Sequence, residues 1–347
     1  MTASTPEAIY RAYEERSQKE KPRGYLGASS IGDPCHRRLW YGFRFATPES
    51  FEGRILRLFQ TGHREEPRVF ADLRAIGAQV WERDPITNGQ FAIPPLAGGH
   101  IRGHADAVVK GLPERPDTAF LVDVKTIASK KLDRLKKYGL EREYPKYYIQ
   151  GQIYMAGLEL ERAAYLFVGK DTDEIHMEFF DFDADDYASA IKKAEAIIAS
   201  DRPPIREWED ADNFNCRYCD HNPLCYGDVA AAVNCRTCVH STPVFGGKWD
   251  CSLWKTERTL DEQVAGCDAH IYIPELVGYA EPIDAGEQWV AYRHNDTGAE
   301  FKNVPANADS SKLAGEYTSH EIHTCTPLLG DKGLDEIRVM FDGAIIK

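Results

Sequence analysis

The sequence predicts an α/β domain with a central mixed sheet flanked by helices. Short segments that alternate apolar and polar residues, as strands with one buried face do, are separated by longer segments with helical periodicity. This alternation along one chain favours a layered α/β architecture. The predicted strands are 78–83, 90–93, 101–109, 118–125, 163–168 and 175–182. The predicted helices are 5–20, 36–46, 51–76, 128–138, 144–160 and 183–200.

The clearest supersecondary element is a hairpin. Its strands, 101–109 and 118–125, flank a connection at 111–117 that contains glycine and proline, which favour turns. In the loop that precedes the helix at 36–46, Ser30 or Asp33 is a candidate N-cap.

The composition of the sequence changes after residue 215. Residues 216–270 contain seven of the nine cysteines, and residues 286–305 predict a second hairpin around 295–298. We therefore expect three domains: a main α/β domain, a cysteine-rich module and a small β-rich C-terminal region. Their expected limits are 1–228, 229–275 and 276–347.

The composition indicates a cytoplasmic protein with a packed core. Hydrophobic residues make up 43% of the 347 residues, but no apolar run is long enough to cross a bilayer, so we expect no membrane association. The N-terminal sequence has no apolar signal core. Because the cytoplasm keeps thiols reduced, nine cysteines there predict metal ligands rather than disulfides.

The net charge of −13 is unevenly spread. Residues 228–347 contain 10 Lys and Arg against 19 Asp and Glu, a net charge of −9, so residues 1–227 carry only −4. A local basic surface for nucleic acid is compatible with that balance.

Two carboxylates and a lysine follow apolar residues in the strands of the first hairpin. Asp106 lies in the first strand segment, and Asp123 and Lys125 follow the apolar residues of the second. Side chains two residues apart in a strand share one face, so Asp123 and Lys125 are neighbours. Buried charges need partners or a metal. We expect Asp106, Asp123 and the Val124 carbonyl to hold Mg²⁺ or Mn²⁺, as phosphodiester cleavage requires, with a surface ion pair as the alternative.

These residues resemble the PD-(D/E)XK nuclease superfamily. The motifs Gly103-x-x-Asp106, Asp123-x-Lys125 and Gln150-x-x-x-Tyr154 are similar to those of its RecB-like branch, which includes CRISPR-associated exonucleases. The segment 61–67 is similar to the helix motif of lambda-exonuclease-like phage enzymes. The resemblance implies a restriction-endonuclease-like core, catalytic roles for Asp106, Asp123, Lys125, Glu66 and Gln150, and Glu66 as a further metal ligand. It places Tyr154 in packing or against the DNA backbone.

A first cysteine set combines Cys35 with Cys216, Cys219 and Cys225. Thiolates suit iron–sulfur clusters or Zn²⁺. One distant cysteine followed by a C-terminal Cys-x2-Cys-x5-Cys resembles the iron–sulfur nucleases of this family, and the resemblance implies a 4Fe–4S cluster that clasps the ends of the nuclease domain. A zinc site remains the alternative.

A second set, Cys235, Cys238, Cys251 and Cys267, has spacing typical of a zinc module. His240 or His270 is an alternative to one thiol. A second iron–sulfur cluster is the other alternative.

A basic stretch after the catalytic strand predicts DNA contact. Cationic side chains would supply salt-dependent, sequence-independent affinity for phosphates, and Tyr138 would stack on an unpaired base. The alternative is an ordinary solvated helix. The expected DNA-contacting residues are Lys130, Lys131, Arg134, Lys136, Lys137, Tyr138 and Tyr154, with Arg37 and Arg38 extending the track.

The sequence thus predicts a metal-dependent DNA exonuclease with an iron–sulfur clasp, which resects DNA ends for phage-type recombination or repair beside a single-strand annealing protein. CRISPR spacer processing is the alternative pathway. A non-catalytic DNA-binding scaffold and an iron–sulfur electron carrier are the alternatives from other classes. Strand polarity, strand preference and oligomeric state are not predicted.

Overall fold

A computed structural model describes residues 4–48, 50–306 and 314–324, with single positions at 329, 333, 336 and 340. Cys325 and most of the C-terminal tail lie outside this range. The chain divides into two compact units: Met1–Asp33 with Ser50–Glu195, and Pro34–Glu49 with Ala196–Lys347. The domain limits at 228 and 275 remain a prediction.

The elements follow the predicted order closely. The α-helices are α1 (Thr5–Ser17), α2 (His36–Phe43), α3 (Gly53–Ala75), α4 (Ser129–Tyr138), α5 (Leu140–Glu143), α6 (Pro145–Leu158), α7 (Ala184–Ala199), α8 (Asn222–Tyr226), α9 (Leu260–Ala265) and α10 (Ser319–Thr324). The strands are β1 (Leu26–Gly27), β2 (Gln79–Trp81), β3 (Phe91–Ala92), β4 (Ile101–Arg102), β5 (His104–Ala105), β6 (Ala107–Leu112), β7 (Arg115–Ile127), β8 (Arg162–Gly169), β9 (Ile175–Asp181), β10 (Ser241–Val244), β11 (Lys248–Cys251), β12 (Thr256–Arg258), β13 (Ala280–Gly286), β14 (Trp289–His294), β15 (Glu300–Asn303) and β16 (Glu316–Tyr317).

A five-stranded mixed sheet organises the first unit, which confirms the predicted fold class. Its strand order is β2-β6-β7-β8-β9. The pairing of β7 with β8 is parallel, and the other pairings are antiparallel. Parallel neighbours need a crossover, which α4, α5 and α6 supply here.

The two faces of β7 carry different residues. Val122 and Val124 are buried in a cluster that includes Val69 and Phe70 of α3. Because side chains alternate along a strand, Asp123 and Lys125 project to the opposite face. The packing of α3 therefore fixes which face of β7 carries the charges.

The second unit contains two smaller sheets. One has the strand order β10-β11-β12 and the other has β13-β14-β15-β16. The antiparallel pairing of β14 with β15 confirms the predicted hairpin around 295–298.

Two buried arginines hold the segment around α2 within the second unit. Arg236 donates from Nη1 to the Phe43 carbonyl at 2.7 Å, and Arg44 donates from Nη1 to the Arg236 carbonyl at 3.0 Å. Both guanidinium groups lie over the Trp249 ring, at 5.3 Å for Arg44 and 4.6 Å for Arg236. These contacts link residues that are about 190 positions apart in sequence.

None of the helices within the described ranges is long and apolar enough to span a bilayer.

Candidate active site

The carboxylates meet where β6 begins and β7 nears its end. Ala107 pairs with Val122, so Asp106 is the first residue beyond the ladder and faces the continuation of β7. Its Oδ2 accepts a hydrogen bond from the Val124 amide at 3.2 Å. This bond fixes Asp106 beside Asp123.

Asp123 and Lys125 form an ion pair beneath the surface. The Lys125 Nζ contacts Asp123 Oδ1, and the Asp123 side chain is only 1% exposed. The ammonium also lies over the Tyr147 ring at 5.0 Å and the Tyr165 ring at 5.9 Å. Aromatic faces stabilise a cation that has lost water, so Lys125 is held charged next to the carboxylates.

Burial dominates the protonation behaviour of the carboxylates. It raises the pKa of Asp123 to about 7, against the lowering effect of Lys125, and Asp106 raises it further. Burial also raises the pKa of Asp106 and of Glu66. Burial lowers the pKa of Lys125, but Asp123 and Asp106 outweigh it and the net shift is upward. The structure thus concentrates acidic groups that favour a cationic neighbour.

Glu66 of α3 joins this group from the other side. It shares a cavity of about 200 Å³ with Asp106, and the pKa of Glu66 is affected by both Asp123 and Lys125. The same cavity is lined by Arg83 and Gln90, which belong to no sequence motif and lie in the structure outside the strands predicted to contain them. Tyr165 was also missed, since only the β7–β8 register places it beside Asp123.

Gln150 of α6 contacts the centre directly. Its Nε2 donates to Asp123 Oδ2 at 3.3 Å, and the side chain is buried. Tyr154, one helical turn later, is 4% exposed and interacts with Gln150. Its side chain is therefore packed, which is one of its two expected roles, and its contact with the DNA backbone stays a prediction.

Glycines let α6 approach the strands. A Cβ atom on Gly151 would lie 2.5 Å from the Phe180 ring, and one on Gly157 would lie 2.7 Å from Ile93. The close approach brings Gln150 within reach of Asp123.

A family model described as the PD-(D/E)XK nuclease superfamily matches residues 8–226, well over half of the chain. The chain belongs to the PD-(D/E)XK nuclease superfamily. The residues on which the resemblance rested, Asp106, Asp123 and Lys125, are those that the structure brings together at one strand end.

Among solved structures, this nuclease is similar to the one titled "Crystal structure of SSO0001", with 18% identity and a TM-score of 0.39 over 65% of this chain and 98% of that chain. It is also similar to an alkaline exonuclease (LHK-Exo) from Laribacter hongkongensis, with 17% identity and a TM-score of 0.39 over 55% and 91% of the two chains. The complex of LHK-Exo with dAMP gives 18% identity and a TM-score of 0.38 over 56% and 91%. No curated protein matches the chain.

The basic helix α4 of the nuclease is partly neutralised by acidic neighbours. Arg134 donates to both carboxylate oxygens of Glu143 at 2.9 and 3.2 Å, and Lys136 forms an ion pair with Glu174. Lys137 lies 4.8 Å and Arg142 4.7 Å from the centre of the Tyr138 ring, so cations already flank the ring predicted to stack on a base. Lys130 and Lys131 are exposed and form the more accessible part of the predicted track.

Arg37 and Arg38 belong to the second unit of the nuclease and contact the first cysteine set. Arg37 Nη1 lies 3.8 Å from Cys225 Sγ, and Arg38 Nε lies 3.3 Å from Cys219 Sγ. Arg37 Nε also donates to the Pro204 carbonyl at 2.6 Å. These contacts join both side chains to sulfur and backbone atoms, and their place in the phosphate track stays a prediction.

Cys35 occupies the N-cap position of α2, where the sequence had suggested Ser30 or Asp33. Its Sγ accepts a hydrogen bond from the Arg38 amide at 3.4 Å. Tyr226 donates from its hydroxyl to Cys216 Sγ at 3.2 Å. Together with the arginine contacts, these bonds give each thiol of the first set one hydrogen-bond donor.

The four cysteines of the second set line one cavity. Across the ranges that the structure describes, no three His, Cys, Asp or Glu side chains are already arranged to hold a metal ion.

Proposed function

We propose that this nuclease is a divalent-metal-dependent DNA exonuclease. The observation that carries the proposal is the meeting of Asp106, Asp123, Lys125 and Gln150 at one strand end, with Glu66 lining the same cavity as Asp106. A purely structural ion pair would not need three acids with raised pKa values at one place, of which Asp123 is fully buried and the other two partly buried.

The donor set fits Mg²⁺ or Mn²⁺. Carboxylate and carbonyl oxygens are the ligands that hard cations prefer, and Glu66, Asp106, Asp123 and the Val124 carbonyl would hold the ion. When bound, the ion supplies charge stabilisation and an activated water for phosphodiester hydrolysis.

The remaining residues of the site orient a metal ligand and supply positive charge. Gln150 holds one oxygen of Asp123 and so orients the carboxylate. Lys125 stands beside Asp123 as a fixed positive charge that stabilises an anionic phosphate and orients the attacking water.

We infer that Cys35, Cys216, Cys219 and Cys225 hold a 4Fe–4S cluster. Three of the thiols come from one short segment and the fourth from the start of α2, all within the second unit. Positively charged Arg37 and Arg38 beside the sulfurs suit an anionic thiolate-ligated cluster. The cluster would be structural, because ligation of this kind couples metal binding to folding.

The proposed substrate is a DNA end. The exposed Lys130 and Lys131 near the catalytic strand would bind phosphates without reading sequence. The proposed setting is the bacterial or phage-infected cytoplasm, where resected ends pass to a single-strand annealing protein.

The decisive experiment is digestion of end-labelled DNA by the purified holoprotein. Single- and double-stranded substrates are compared in linear and circular form, with Mg²⁺, Mn²⁺ or a chelator. We expect degradation of linear DNA only, abolished by chelation and by Lys125→Ala or Asp123→Asn.

Asp117→Asn is the matched control, because Asp117 is an exposed acid at the opposite end of β7. It should cut like the wild type. Cleavage of circular DNA would exclude a strict exonuclease, and the absence of any cleavage by the wild type would favour a non-catalytic scaffold.

A further inference from the structure

We propose that Cys235, Cys238, Cys251 and Cys267 form a structural zinc site in the second unit, with thiolates as its only protein ligands. The proposal is independent of the nuclease function, because it concerns residues outside the carboxylate centre and outside the first cysteine set.

All four cysteines line a single cavity of about 260 Å³. Cys235 begins a short 3₁₀ turn, Cys235–Thr237, which brings Cys238 to the same side. Cys251 is the last residue of β11. Gly266, with φ of +68°, ends α9 and directs the chain so that Cys267 returns towards Cys235. Three separate segments thus bring their cysteines to the lining of one cavity.

Hydrogen bonding removes His270 from the donor set. Its Nδ1 lies 2.8 Å from the Ser319 hydroxyl and its Nε2 lies 3.1 Å from the Thr237 hydroxyl. Both ring nitrogens of this buried histidine are therefore occupied. The Nδ1 of His240 lies 3.4 Å from the Ser252 hydroxyl, so His240 could reach an ion only through Nε2. The four thiols are by themselves a set typical of closed, structural zinc sites.

The surroundings of the thiols favour their deprotonated form once a cation is present. Cys238 receives backbone hydrogen bonds from His240 and Ile271, and the Arg258 side chain bonds to Cys251. These donors stabilise thiolates, the form in which cysteine binds zinc, and ligation of this kind couples metal binding to folding.

The local architecture explains why a metal is useful here. Strands β10, β11 and β12 have only three or four residues each, and α9 has six. Elements this short bury little apolar surface of their own. Four protein ligands leave no open coordination position, so the role of the ion is structural and not catalytic.

The test measures metals in the purified full-length protein by mass spectrometry. We expect about one zinc ion per chain. Cys238→Ser and Cys251→Ser should each lose zinc while keeping the iron of the first cysteine set. Cys325→Ser is the matched control, because Cys325 is outside both sets, and it should retain zinc.

A second measurement uses the wild type, so that it does not depend on variants that fold. A mercurial thiol reagent should release zinc with the modification of about four thiols. Substitution of the zinc by Co²⁺ should give the intense thiolate-to-cobalt absorption of a tetrahedral site, and His240→Ala should leave it unchanged.

Three results would overturn the proposal: a wild type without zinc, zinc retained in Cys238→Ser, or additional iron in place of zinc. A cobalt spectrum altered by His240→Ala would overturn the all-thiolate ligand set. DNA digestion is measured on the same samples, so a protein that binds zinc but does not cut DNA disproves the proposed function alone.

Discussion

A Cβ atom on Gly103 would lie 2.5 Å from Cε1 of Tyr154 and 3.0 Å from its hydroxyl oxygen. Gly103 precedes Asp106 by three residues, and Tyr154 lies one helical turn beyond Gln150, which contacts Asp123. Two motifs that are distant in sequence are thus interlocked by one steric contact. The glycine is needed because a rigid aromatic ring occupies the place of its side chain.

Gly103→Ala should therefore weaken both stability and catalysis. The new methyl group must displace the Tyr154 ring, and overpacking of this kind typically costs about 1–3 kcal/mol. Movement of α6 would also shift Gln150 away from Asp123. Denaturant unfolding and the rate of DNA degradation measure the two effects.

Gly89→Ala is the control for that substitution, because the nearest atom to its Cβ would be the Thr87 hydroxyl at an ordinary 3.5 Å. It should change neither quantity appreciably. In a Tyr154→Leu background, the cost of Gly103→Ala should fall, since the obstructing ring is gone. An unchanged cost would show that the Gly103–Tyr154 contact is not the cause.

Gln150→Leu should lower nuclease activity by about 10- to 100-fold through weaker metal binding. The substitution removes the donor to Asp123 Oδ2 and leaves the other contacts of that carboxylate in place. Activity should recover in part at high Mg²⁺, which a titration of rate against metal concentration measures.

Gln152→Leu is the matched variant on the same helix. Gln152 donates to the Asp181 carbonyl at 3.1 Å and accepts from the Asp183 amide at 2.8 Å, away from the carboxylate centre. It should reduce stability without changing the metal requirement. If both variants need the same metal concentration as the wild type, Gln150 does not position a metal ligand.

The arrangement of closely spaced motif residues could be predicted from the sequence, because it depends only on the geometry of one strand and its hairpin neighbour. Alternation along β7 is enough to place Asp123 and Lys125 on one face, and the hairpin register is enough to bring Asp106 beside them. Tyr165 and Arg83 could not be predicted, because their positions depend on the pairing of β7 with β8 and on the course of a loop.

The contact partners of the predicted DNA-binding cations could not be predicted from the sequence either. Arg134 and Lys136 belong to a basic run, but their acidic partners, Glu143 and Glu174, come from later elements. Arg38 lies three residues after Cys35, yet its contact with Cys219 requires the packing of segments 181 positions apart. Charge runs show where cations are, and only the fold shows which of them are paired.

Lys130→Ala combined with Lys131→Ala should weaken DNA binding and reduce its salt dependence. Both lysines are exposed on α4, and each lost phosphate contact lowers the slope of log affinity against log salt by about 0.7–0.9. The measurement is a binding titration at several salt concentrations, in an Asp123→Asn background that does not cut.

Arg134→Gln combined with Lys136→Gln removes the same charge from the same helix. Because Glu143 and Glu174 already neutralise these cations, this pair should reduce the slope less than the lysine pair. Equal reductions would show that the acidic neighbours do not shield Arg134 and Lys136.

Arg38→Gln should reduce the iron retained by the purified protein. The guanidinium lies 3.3 Å from Cys219 Sγ and also donates to the Asn215 carbonyl at 3.1 Å, so it supports the loop that carries two of the proposed ligands. Arg202→Gln is the control, because Arg202 is an exposed arginine of the same unit and does not contact a cysteine within the described residues. Iron content and visible absorbance measure the outcome, and full iron occupancy in Arg38→Gln would refute a supporting role.

The buried His270 should make the protein less stable as the pH falls below neutrality. Burial lowers the pKa of His270 to about 3, and the unfolded chain takes up a proton near the ordinary histidine pKa of about 6.5. The contribution of the neutral His270 to the free energy of unfolding is therefore present above that unfolded pKa and is lost as the pH falls, by about 2 kcal/mol between pH 7 and pH 5.

His270→Gln removes the titrating group while keeping polar atoms near the Ser319 and Thr237 hydroxyls. Denaturant unfolding at both pH values should show a loss for the wild type that exceeds the loss for His270→Gln by this amount. Equal losses would mean that His270 is protonated at similar pH in the folded and unfolded chain, which its two hydroxyl contacts and its burial argue against.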